Sequence, residues 1–241
     1  MADDIQNQPL ADVALVTGAG GGLGAVIAER LAREGLTVAV NTRARTEEAD
    51  AVAAAIRAGG GRAFAVTANV TDPSAVRRMF ETIADQGTLR VLVNNASYRP
   101  RHRVQAITED DWHQVRSVTL DGAFRCIRCA LPALIPGGRI VNILGRNALA
   151  GDPERVHLSA AKHGLLGLTL ALAAALRDDG VAVNAVSPGM EADVTEDLEL
   201  RCRAEIASQV ARLAFADAAE LTGTVVRVDC DGSVVSAPTA W

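Results

Sequence analysis

Residues 13–33 read VALVTGAGGGLGAVIAERLAR, and this stretch decides the fold. Val13 to Thr17 is an apolar run typical of a buried strand, and apolar residues recur at helical spacing from Ala25 to Arg33. The glycines between them let the backbone approach a pyrophosphate, which the free N–H groups of a helix N-terminus can bind. The stretch therefore predicts a strand, a phosphate-binding turn and a helix, with a tight turn that binds no ligand as the alternative.

The rest of the chain repeats this alternation of short apolar runs and helical segments. The expected strands are Leu36 to Val40, Ala63 to Ala68, Val91 to Asn94, Arg139 to Leu144, Val181 to Val186 and Thr224 to Asp229. The expected helices are Glu47 to Ala58, Pro73 to Asp85, Asp110 to Leu134, Leu158 to Arg177 and Glu199 to Ala214. Such alternation predicts an α/β fold with a doubly wound parallel sheet, in a single domain over residues 1–241 whose first 11 residues are flexible.

Composition excludes several classes of protein. The chain has 241 residues, 49% of them hydrophobic and 22% charged, which is unlike a disordered or collagenous chain. The net charge of −5 argues against nucleic acid, and four cysteines in this length do not make a secreted disulfide framework. The polar N-terminus is not a signal peptide, and the longest apolar run, Gly164 to Leu176, is too short to span a membrane. We expect a cytoplasmic protein with no membrane, nucleic-acid or metal site, and the CxxC of Cys126 and Cys129 is expected to be structural.

Several motifs resemble those of the short-chain dehydrogenase/reductase family. Residues 17–24, TGAGGGLG, resemble the family's TGxxxGxG, and residues 94–97, NNAS, resemble its NNAG motif. Asn69-Val70 resembles the pair that meets adenine, and Asn184 to Gly189 resembles the segment that closes on the nicotinamide. The resemblance runs from about residue 12 to 234. It implies a Rossmann fold of about seven strands and a tetramer, homo- or hetero-oligomeric, built through the helices that start near 110 and 158.

The resemblance also implies which residues hold a dinucleotide. The expected cofactor-binding residues are Thr17, Gly18, Gly22, Leu23, Gly24, Arg43, Asn69, Val70, Asn95, Ala96, Lys162, Pro188 and Gly189. Members of the family that use NAD usually carry an acidic residue at the end of the second strand. This chain has Thr42 and Arg43 there, followed by Arg45, and a guanidinium pairs well with a 2′-phosphate. NADP(H) is therefore the expected cofactor, and the alternative is that these arginines are merely solvated.

The family's catalytic Asn-Ser-Tyr-Lys tetrad is nearly absent. By resemblance, Thr119 takes the place of the asparagine, Gly145 that of the serine and Leu158 that of the tyrosine. Only Lys162 remains, and it is the single lysine among the 24 basic residues of the chain. Leucine cannot donate a proton and glycine has no side chain to orient a carbonyl, so the family's usual mechanism is not available to this chain.

Three residues are candidates to replace the tyrosine as a catalytic proton donor. Tyr98, the only tyrosine, follows the NNAS segment on a loop that borders the nicotinamide in this family, and it is the best candidate. Ser159 lies about 60° round the helix from Lys162, whereas His157 lies about 140° away and faces poorly. The alternatives are a packing role for Tyr98 and a surface position for His157.

Charged residues beside the expected pocket predict its ligands. Arg99, Arg101 and Arg103, with His102 and Arg146, form a basic cluster in an acidic chain. This cluster favours a small-molecule or carrier-bound anionic substrate, such as a CoA or carrier-protein phosphopantetheine, or an acidic partner surface, with a solvated loop as the alternative. After Pro188-Gly189 the chain carries Glu191 and Asp193, and the substrate lid is short.

Three functions remain open at this point. The first is a degenerate subunit that binds NADP(H) and assembles with an active relative. The second is a self-sufficient NADPH-dependent reductase in which Tyr98 or water donates the proton. The third is non-redox catalysis, for example a cyclisation or dehydration, in which Lys162, Glu191 or Asp193 does acid–base chemistry.

Overall fold

The computed structural model describes residues 11–145, 150–189, 195–229 and 233–238. Its strands are β1 (Asp12–Val16), β2 (Thr37–Thr42), β3 (Arg62–Thr67), β4 (Thr88–Asn94), β5 (Arg139–Ile143), β6 (Ala182–Pro188), β7 (Thr224–Val228) and β8 (Val234–Pro238). Its principal helices are α1 (Gly22–Arg33), α2 (Thr46–Ala58), α3 (Pro73–Gln86), α4 (Glu109–Arg116), α5 (Gly122–Leu134), α6 (Val156–Ala175) and α7 (Glu196–Phe215). The expected flexible segment, residues 1–11, lies outside the described residues except for Ala11.

The strands form one sheet in the order β3-β2-β1-β4-β5-β6-β7-β8. Strands β1 to β7 are parallel, and β1 pairs with β2 on one side and β4 on the other. The chain order therefore reverses at β1, and in open α/β sheets ligands bind at the carboxyl ends of the strands beside such a reversal. Thr17, Asn41 and Asn94 lie at this edge of the sheet. The predicted doubly wound parallel sheet is confirmed.

The sheet continues one strand beyond the expected seven. β8 pairs antiparallel with β7, with Val228 opposite Val234. The expectation that the sheet ends at residues 224–229 is wrong, because a short connection suffices to add an antiparallel neighbour. The sequence signal for β8 was weak because this strand lies at the edge of the sheet, where Val235 is 57% exposed. A strand in contact with water needs no alternation of apolar and polar residues.

Two apolar layers flank the sheet. One layer contains buried residues of α1, α2 and α7, such as Ile27, Ile56 and Ile206. The other contains buried residues of α3 and α5, such as Ile83 and Ile127. Helices thus cover both faces, which explains why the inner strands consist almost wholly of apolar residues.

Cys126 belongs to the second layer and is fully buried, and burial raises the pKa of its thiol to about 12. Cys129 lies beside that layer and is partly buried. Within the described ranges, no group of three or more His, Cys, Asp or Glu side chains could hold a metal ion. A buried thiol of this kind is chemically inert and packs as a small apolar group.

Helix α6 contains most of the long apolar run of the sequence. At 20 residues it is longer than that run, and by length and composition alone it could cross a membrane. A third of its apolar window is buried, on the face that includes Leu158, Leu165 and Ala173. This face packs on β5 and β6, as the core helix of an α/β sheet does. The length and apolar composition of α6 are therefore only weak evidence that it spans a membrane. The opposite face of α6 stays largely uncovered in the single chain.

Candidate active site

Two adjoining cavities lie at the carboxyl edge of the sheet. The large cleft is lined by residues at or just after the ends of β1, β2, β3 and β4, among them Gly18, Asn41, Arg43, Asn69 and Val70. The small pocket is lined by residues from β5, β6 and α6, among them Gly145, Leu158, Lys162 and Pro188. Asn95, Ser97 and Arg99 border both cavities. A ligand can therefore extend from one into the other.

The glycine turn has the conformation that phosphate binding requires. Gly18 and Gly22 have φ of +64° and +56°, in the left-handed region that favours glycine. A Cβ on Gly24 would lie 2.5 Å from the carbonyl oxygen of Gly18 and 2.7 Å from Asn95 Nδ2, so only glycine fits. The first turn of α1 contains no acidic residue. Its N–H groups and partial positive charge therefore remain available to an anion.

Thr17 and Asn95 hold this turn against the end of β4. Thr17 Oγ1 accepts hydrogen bonds from the backbone N–H groups of Asn95 and Ala96, at 3.0 and 3.1 Å. Asn95 Nδ2 donates to the carbonyl oxygens of Thr17 and Gly18. Thr17 is buried and does not line the cleft, so it positions the turn, whereas Asn95 and Ala96 border the cleft directly.

The end of β2 supplies an asparagine that the sequence analysis did not single out. Buried Asn41 accepts a hydrogen bond from the Gly18 N–H, and its Nδ2 donates to the carbonyl oxygens of Val66 and Ala68. It therefore fixes the spacing between the glycine turn and the end of β3. Asn69 and Val70 follow β3 and line the same cleft, as the resemblance implies.

The arginines after β2 are not equivalent. Arg43 is exposed and lines the large cleft. Arg45 instead forms a 2.7 Å ion pair with Glu48, which also lines the cleft. Glu48 was missed because it lies in the first turn of α2, six residues beyond the strand end where an acidic residue was sought. The cleft thus offers the Arg43 guanidinium as a cation for a phosphate. It also contains the Glu48 carboxylate, whose charge Arg45 neutralises in part.

Lys162 is the buried amine of the small pocket. It is 4% exposed, and its Nζ donates a 2.6 Å hydrogen bond to the carbonyl oxygen of Ile143 at the end of β5. Burial lowers the pKa of this amine to about 7, and the positive charge of Arg99 acts in the same direction. The ammonium and the neutral amine are therefore both populated near neutral pH.

The tetrad positions surround Lys162 with unusual groups. Leu158 is 2% exposed and lines the pocket, where it presents only carbon. Gly145 has φ +141°, a conformation that a serine adopts only with strain. Thr119 lies buried in a π-helical turn between α4 and α5, and its Oγ1 is 3.3 Å from Ser97 Oγ. Ser97 stands in place of the last glycine of the NNAG motif, and Thr119 stands in place of the tetrad asparagine. Two residues that differ from the family's pattern therefore contact one another.

The three candidate donors lie in three different places. Tyr98 lines the large cleft and is absent from the lining of the small pocket that contains Lys162. Ser159 Oγ accepts a hydrogen bond from the Asp152 N–H and does not line the pocket, although its angle on the helix favoured it.

His157 is 2% exposed, so the alternative of a surface position is wrong, and its ring lies 6.1 Å from that of His102. Burial, followed by the charge of His102, lowers its pKa. It lies outside the lining of both cavities.

The basic cluster divides in a way that spacing could not predict. Arg99 lines both cavities, whereas Arg101 forms an exposed ion pair with Glu154. Arg103 is exposed and lines neither cavity. Arg155, which the sequence analysis missed, completes the lining of the small pocket. Arg146, Glu191 and Asp193 lie outside the described residues.

The β6 end of the pocket is closed by Pro188 and Gly189. Pro188 lines the small pocket, and the Gly189 N–H donates a 2.7 Å hydrogen bond to the Val228 carbonyl oxygen. A Cβ on Gly189 would overlap Asp229 Oδ1, so the residue must be glycine for β6 and β7 to end side by side.

Sequence comparison identifies the relatives of this chain. The family model for short chain dehydrogenase matches residues 12–200. A 3-oxoacyl-(acyl-carrier-protein) reductase of Staphylococcus aureus is 36% identical over 222 residues, which cover 90% of this chain and 90% of that protein.

Solved structures agree with this relationship. A gluconate 5-dehydrogenase from Beutenbergia cavernae, described as putative and NAD(P) dependent and solved with NADP at low occupancy, has a TM-score of 0.82 and 31% identity. The angucycline C-6 ketoreductase LanV, solved with bound NADP, has a TM-score of 0.79 and 28% identity. Each comparison covers 92% of this chain and 97% of the other.

Proposed function

This chain belongs to the short chain dehydrogenase family, and on that premise we propose that it is an NADP(H)-binding subunit without the family's own proton donor. We propose further that it assembles with an active relative and contributes to the handling of a CoA-bound, carrier-bound or other anionic keto or hydroxy substrate. The observation that carries the proposal is the lining of the small pocket, where Lys162 has Leu158 and Gly145 as neighbours instead of a tyrosine and a serine.

The large cleft fits a dinucleotide. Its glycine turn suits a pyrophosphate, because no side chain caps the N-terminus of α1. The backbone around Gly24 leaves no room for a side chain at that position. Arg43 would pair with a 2′-phosphate, which agrees with the NADP described for two similar structures. When bound, NADPH supplies a hydride. Lys162, by family resemblance, would hold the ribose next to the nicotinamide.

The missing donor supports a dependent role. Ser97 is the only hydroxyl-bearing side chain among the described residues that line the small pocket, and an aliphatic hydroxyl is a far weaker acid than a phenol. Neither a histidine nor a carboxylate lines the pocket in the described part of the chain. A hydride transfer to a carbonyl leaves an alkoxide that needs a proton. The pocket offers no phenol for it, and its remaining acid is the Lys162 ammonium, which is only partly protonated near neutral pH.

Uncovered apolar side chains support assembly. The helices that begin at Glu109, Gly122 and Val156 carry Trp112, Phe124 and Val156 at 38–43% exposure. The open face of α6 adds apolar area that a single chain leaves in contact with water. Burial of such a patch favours association, and a second subunit of the same fold would present matching helices.

The deciding experiment titrates the purified protein with NADPH and NADH by calorimetry. It then assays carbonyl reduction, with acetoacetyl-CoA and simple keto acids, for the chain alone and for the complex isolated from its native host. We expect micromolar NADPH binding, no turnover by the chain alone and stoichiometric copurification of a second dehydrogenase. Turnover by the chain alone, or isolation without any other dehydrogenase, would contradict the subunit proposal.

A self-sufficient reductase is the second candidate, and the position of Tyr98 favours it. Tyr98 lines the large cleft next to Ala96 and Ser97, at 36% exposure. If it donates the proton, Tyr98→Phe abolishes turnover while NADPH binding persists. Unchanged turnover in this variant would leave water or the Lys162 ammonium as the donor for that candidate.

A further inference from the structure

The small pocket concentrates positive charge. Arg99, Arg155 and Lys162 line it together, and no carboxylate belongs to its lining among the described residues. Arg155 and Lys162 lie two helical turns apart at the start and in the interior of α6, and Arg99 comes from the loop after β4, so the fold brings Arg99 to the other two. Leu23, Ile143, Leu144 and Leu158 supply much of the remaining wall. Lys162 is buried and Arg155 is partly buried, whereas Arg99 is exposed, so the cost of a missing counter-ion falls on Lys162 and Arg155.

Charges behind the pocket add to this excess. Burial, followed by the positive charges of Arg155 and Arg203, lowers the pKa of Arg99, although the residue keeps part of its surface exposed. The compensating carboxylates lie to the side, since Asp152 is 3.9 Å from Arg155 and Glu199 pairs with Arg203. Three arginines, with Lys162 when it is protonated, therefore meet two carboxylates here in the part of the chain that the structure describes. Like charges repel one another, and an anion bound among them would relieve this repulsion.

Hydrogen-bond donors in the same region have no acceptor. Arg155 Nε and Arg203 Nε are both buried without a hydrogen-bond partner. By family resemblance, the remaining donors of Lys162 would hold the ribose of the cofactor, so the arginines are the donors left for a substrate. Buried donors normally have a partner in folded proteins. An oxyanion in the pocket would accept from Arg155 and would neutralise part of the charge.

We propose that the small pocket binds a carboxylate of the substrate through Arg99 and Arg155. The substrate class is then a small keto or hydroxy acid whose carboxylate enters the pocket. In a CoA thioester or a carrier-bound substrate, the phosphates lie a long arm away from the reacting carbonyl and would stay outside. This inference rests on the proposed function, because it takes the small pocket to be the substrate end of the dinucleotide cleft.

Calorimetric titration of the NADP⁺-saturated protein tests the proposal. The probes are oxalate and malonate as carboxylates, malonamide as the neutral analogue of malonate, and inorganic phosphate as the competing oxyanion. We expect saturable binding of at least one dicarboxylate and no binding of malonamide. Arg155→Gln should weaken dicarboxylate binding about tenfold or more, since it removes a charge-assisted hydrogen bond.

Arg101→Gln is the matched control, because Arg101 belongs to the same basic cluster but lines neither cavity. It should leave dicarboxylate binding unchanged. Arg99→Gln is a second pocket variant, in case Arg155→Gln lowers the melting temperature, and it should weaken binding to a similar extent. Equal effects of the pocket variants and the control would overturn the proposal.

The remaining outcomes separate this inference from the proposed function. If no carboxylate binds, or if malonamide binds as well as malonate, the proposal of a carboxylate site is wrong. That result leaves the proposed NADP(H) binding unaffected. If NADP⁺ displaces the dicarboxylate competitively, the cations serve the cofactor and the substrate assignment is overturned. Tighter binding of phosphate, with the same sensitivity to Arg155→Gln, overturns the carboxylate class in favour of a phosphate-bearing substrate. Dicarboxylate binding in a protein that binds no NADP(H) supports the anion site and contradicts the proposed function.

Discussion

Lys162 Nζ donates a 2.6 Å hydrogen bond to the carbonyl oxygen of Ile143. The bond joins the buried face of α6 to the carboxyl end of β5, where the small pocket begins. It fixes the amine within an apolar environment that disfavours its charged form, and the pKa falls to about 7. The position of Lys162 is therefore maintained at a cost in stability, as is common at functional sites.

Replacement of this lysine should stabilise the protein in a pH-dependent way. The folded pKa of about 7 lies below the ordinary value of 10.5, so the unfolded state binds more protons between these two values. Stability of the wild type should rise with pH across that window, by at most about 1.4 kcal/mol per pH unit. Lys162→Met removes the buried ammonium and should raise the melting temperature most below pH 7, with the gain shrinking toward pH 10.5.

Melting temperatures of both proteins from pH 6 to pH 10 check this expectation. The lost hydrogen bond to Ile143 costs about 1 kcal/mol and should be independent of pH. A difference in melting temperature that does not change with pH would contradict a lowered lysine pKa.

Gly24 should be essential to the glycine turn, and Gly21 should not be essential to its stability. An alanine at Gly24 would place its Cβ 2.5 Å from the Gly18 carbonyl oxygen, so the backbone must shift. We expect Gly24→Ala to lose about 1–3 kcal/mol of unfolding free energy and most of the NADPH affinity. A Cβ on Gly21 would point into open space, with no contact within 4 Å, so Gly21→Ala should unfold within about 0.5 kcal/mol of the wild type.

Denaturant titration and NADPH calorimetry on both variants make the comparison. Equal losses of stability in Gly24→Ala and Gly21→Ala would show that the close approach at Gly24 has no energetic weight.

Arg43 and Glu48 should determine the choice of cofactor in opposite directions. Arg43→Ala should lower NADPH affinity about tenfold and leave NADH affinity unchanged, because only NADPH carries the 2′-phosphate. Glu48→Gln removes a carboxylate from the same cleft and should raise NADPH affinity about two- to fivefold. Arg33→Ala, an exposed arginine on α1, is the control for a general loss of positive charge. Parallel changes in NADPH and NADH affinity would refute the assignment of Arg43.

Leu158→Tyr should introduce the missing donor. Leu158 lines the pocket with Lys162, so a tyrosine there brings a phenol close to the Lys162 amine. The positive charge of that amine can lower the pKa of the phenol. We expect NADPH-dependent reduction of a keto acid to rise at least about tenfold above the wild type. Leu158→Phe has the same bulk without the hydroxyl and should show no gain.

Gly145→Ser should add little to this gain, because φ +141° at Gly145 strains any residue with a Cβ. Steady-state assays of the two Leu158 variants, with melting temperatures to verify folding, measure the effect. A gain shared by Leu158→Phe would mean that pocket shape, and not the phenol, limits the reaction.

The local patterns of the sequence determined the architecture of this protein. The alternation of apolar runs and helical segments predicted the parallel sheet, and the glycines after β1 predicted the turn at its edge. The aligned motifs also marked Lys162, Leu158 and Gly145 as neighbours of one pocket, and all three line it. These features depend on residue spacing within one element, or on motifs at strand ends that a parallel sheet must bring to the same edge.

Only the tertiary structure decided which side chains share the pocket. It separates Tyr98 from Lys162, directs Ser159 toward the Asp152 N–H and buries His157 away from both cavities. It also brings Arg155 beside Lys162, which the sequence did not indicate, and it selects Arg99 from a basic cluster whose members the sequence could not distinguish. The physical reason is that contacts between distant elements depend on how helices and loops pack against the sheet. Spacing along a single element carries no information about that packing.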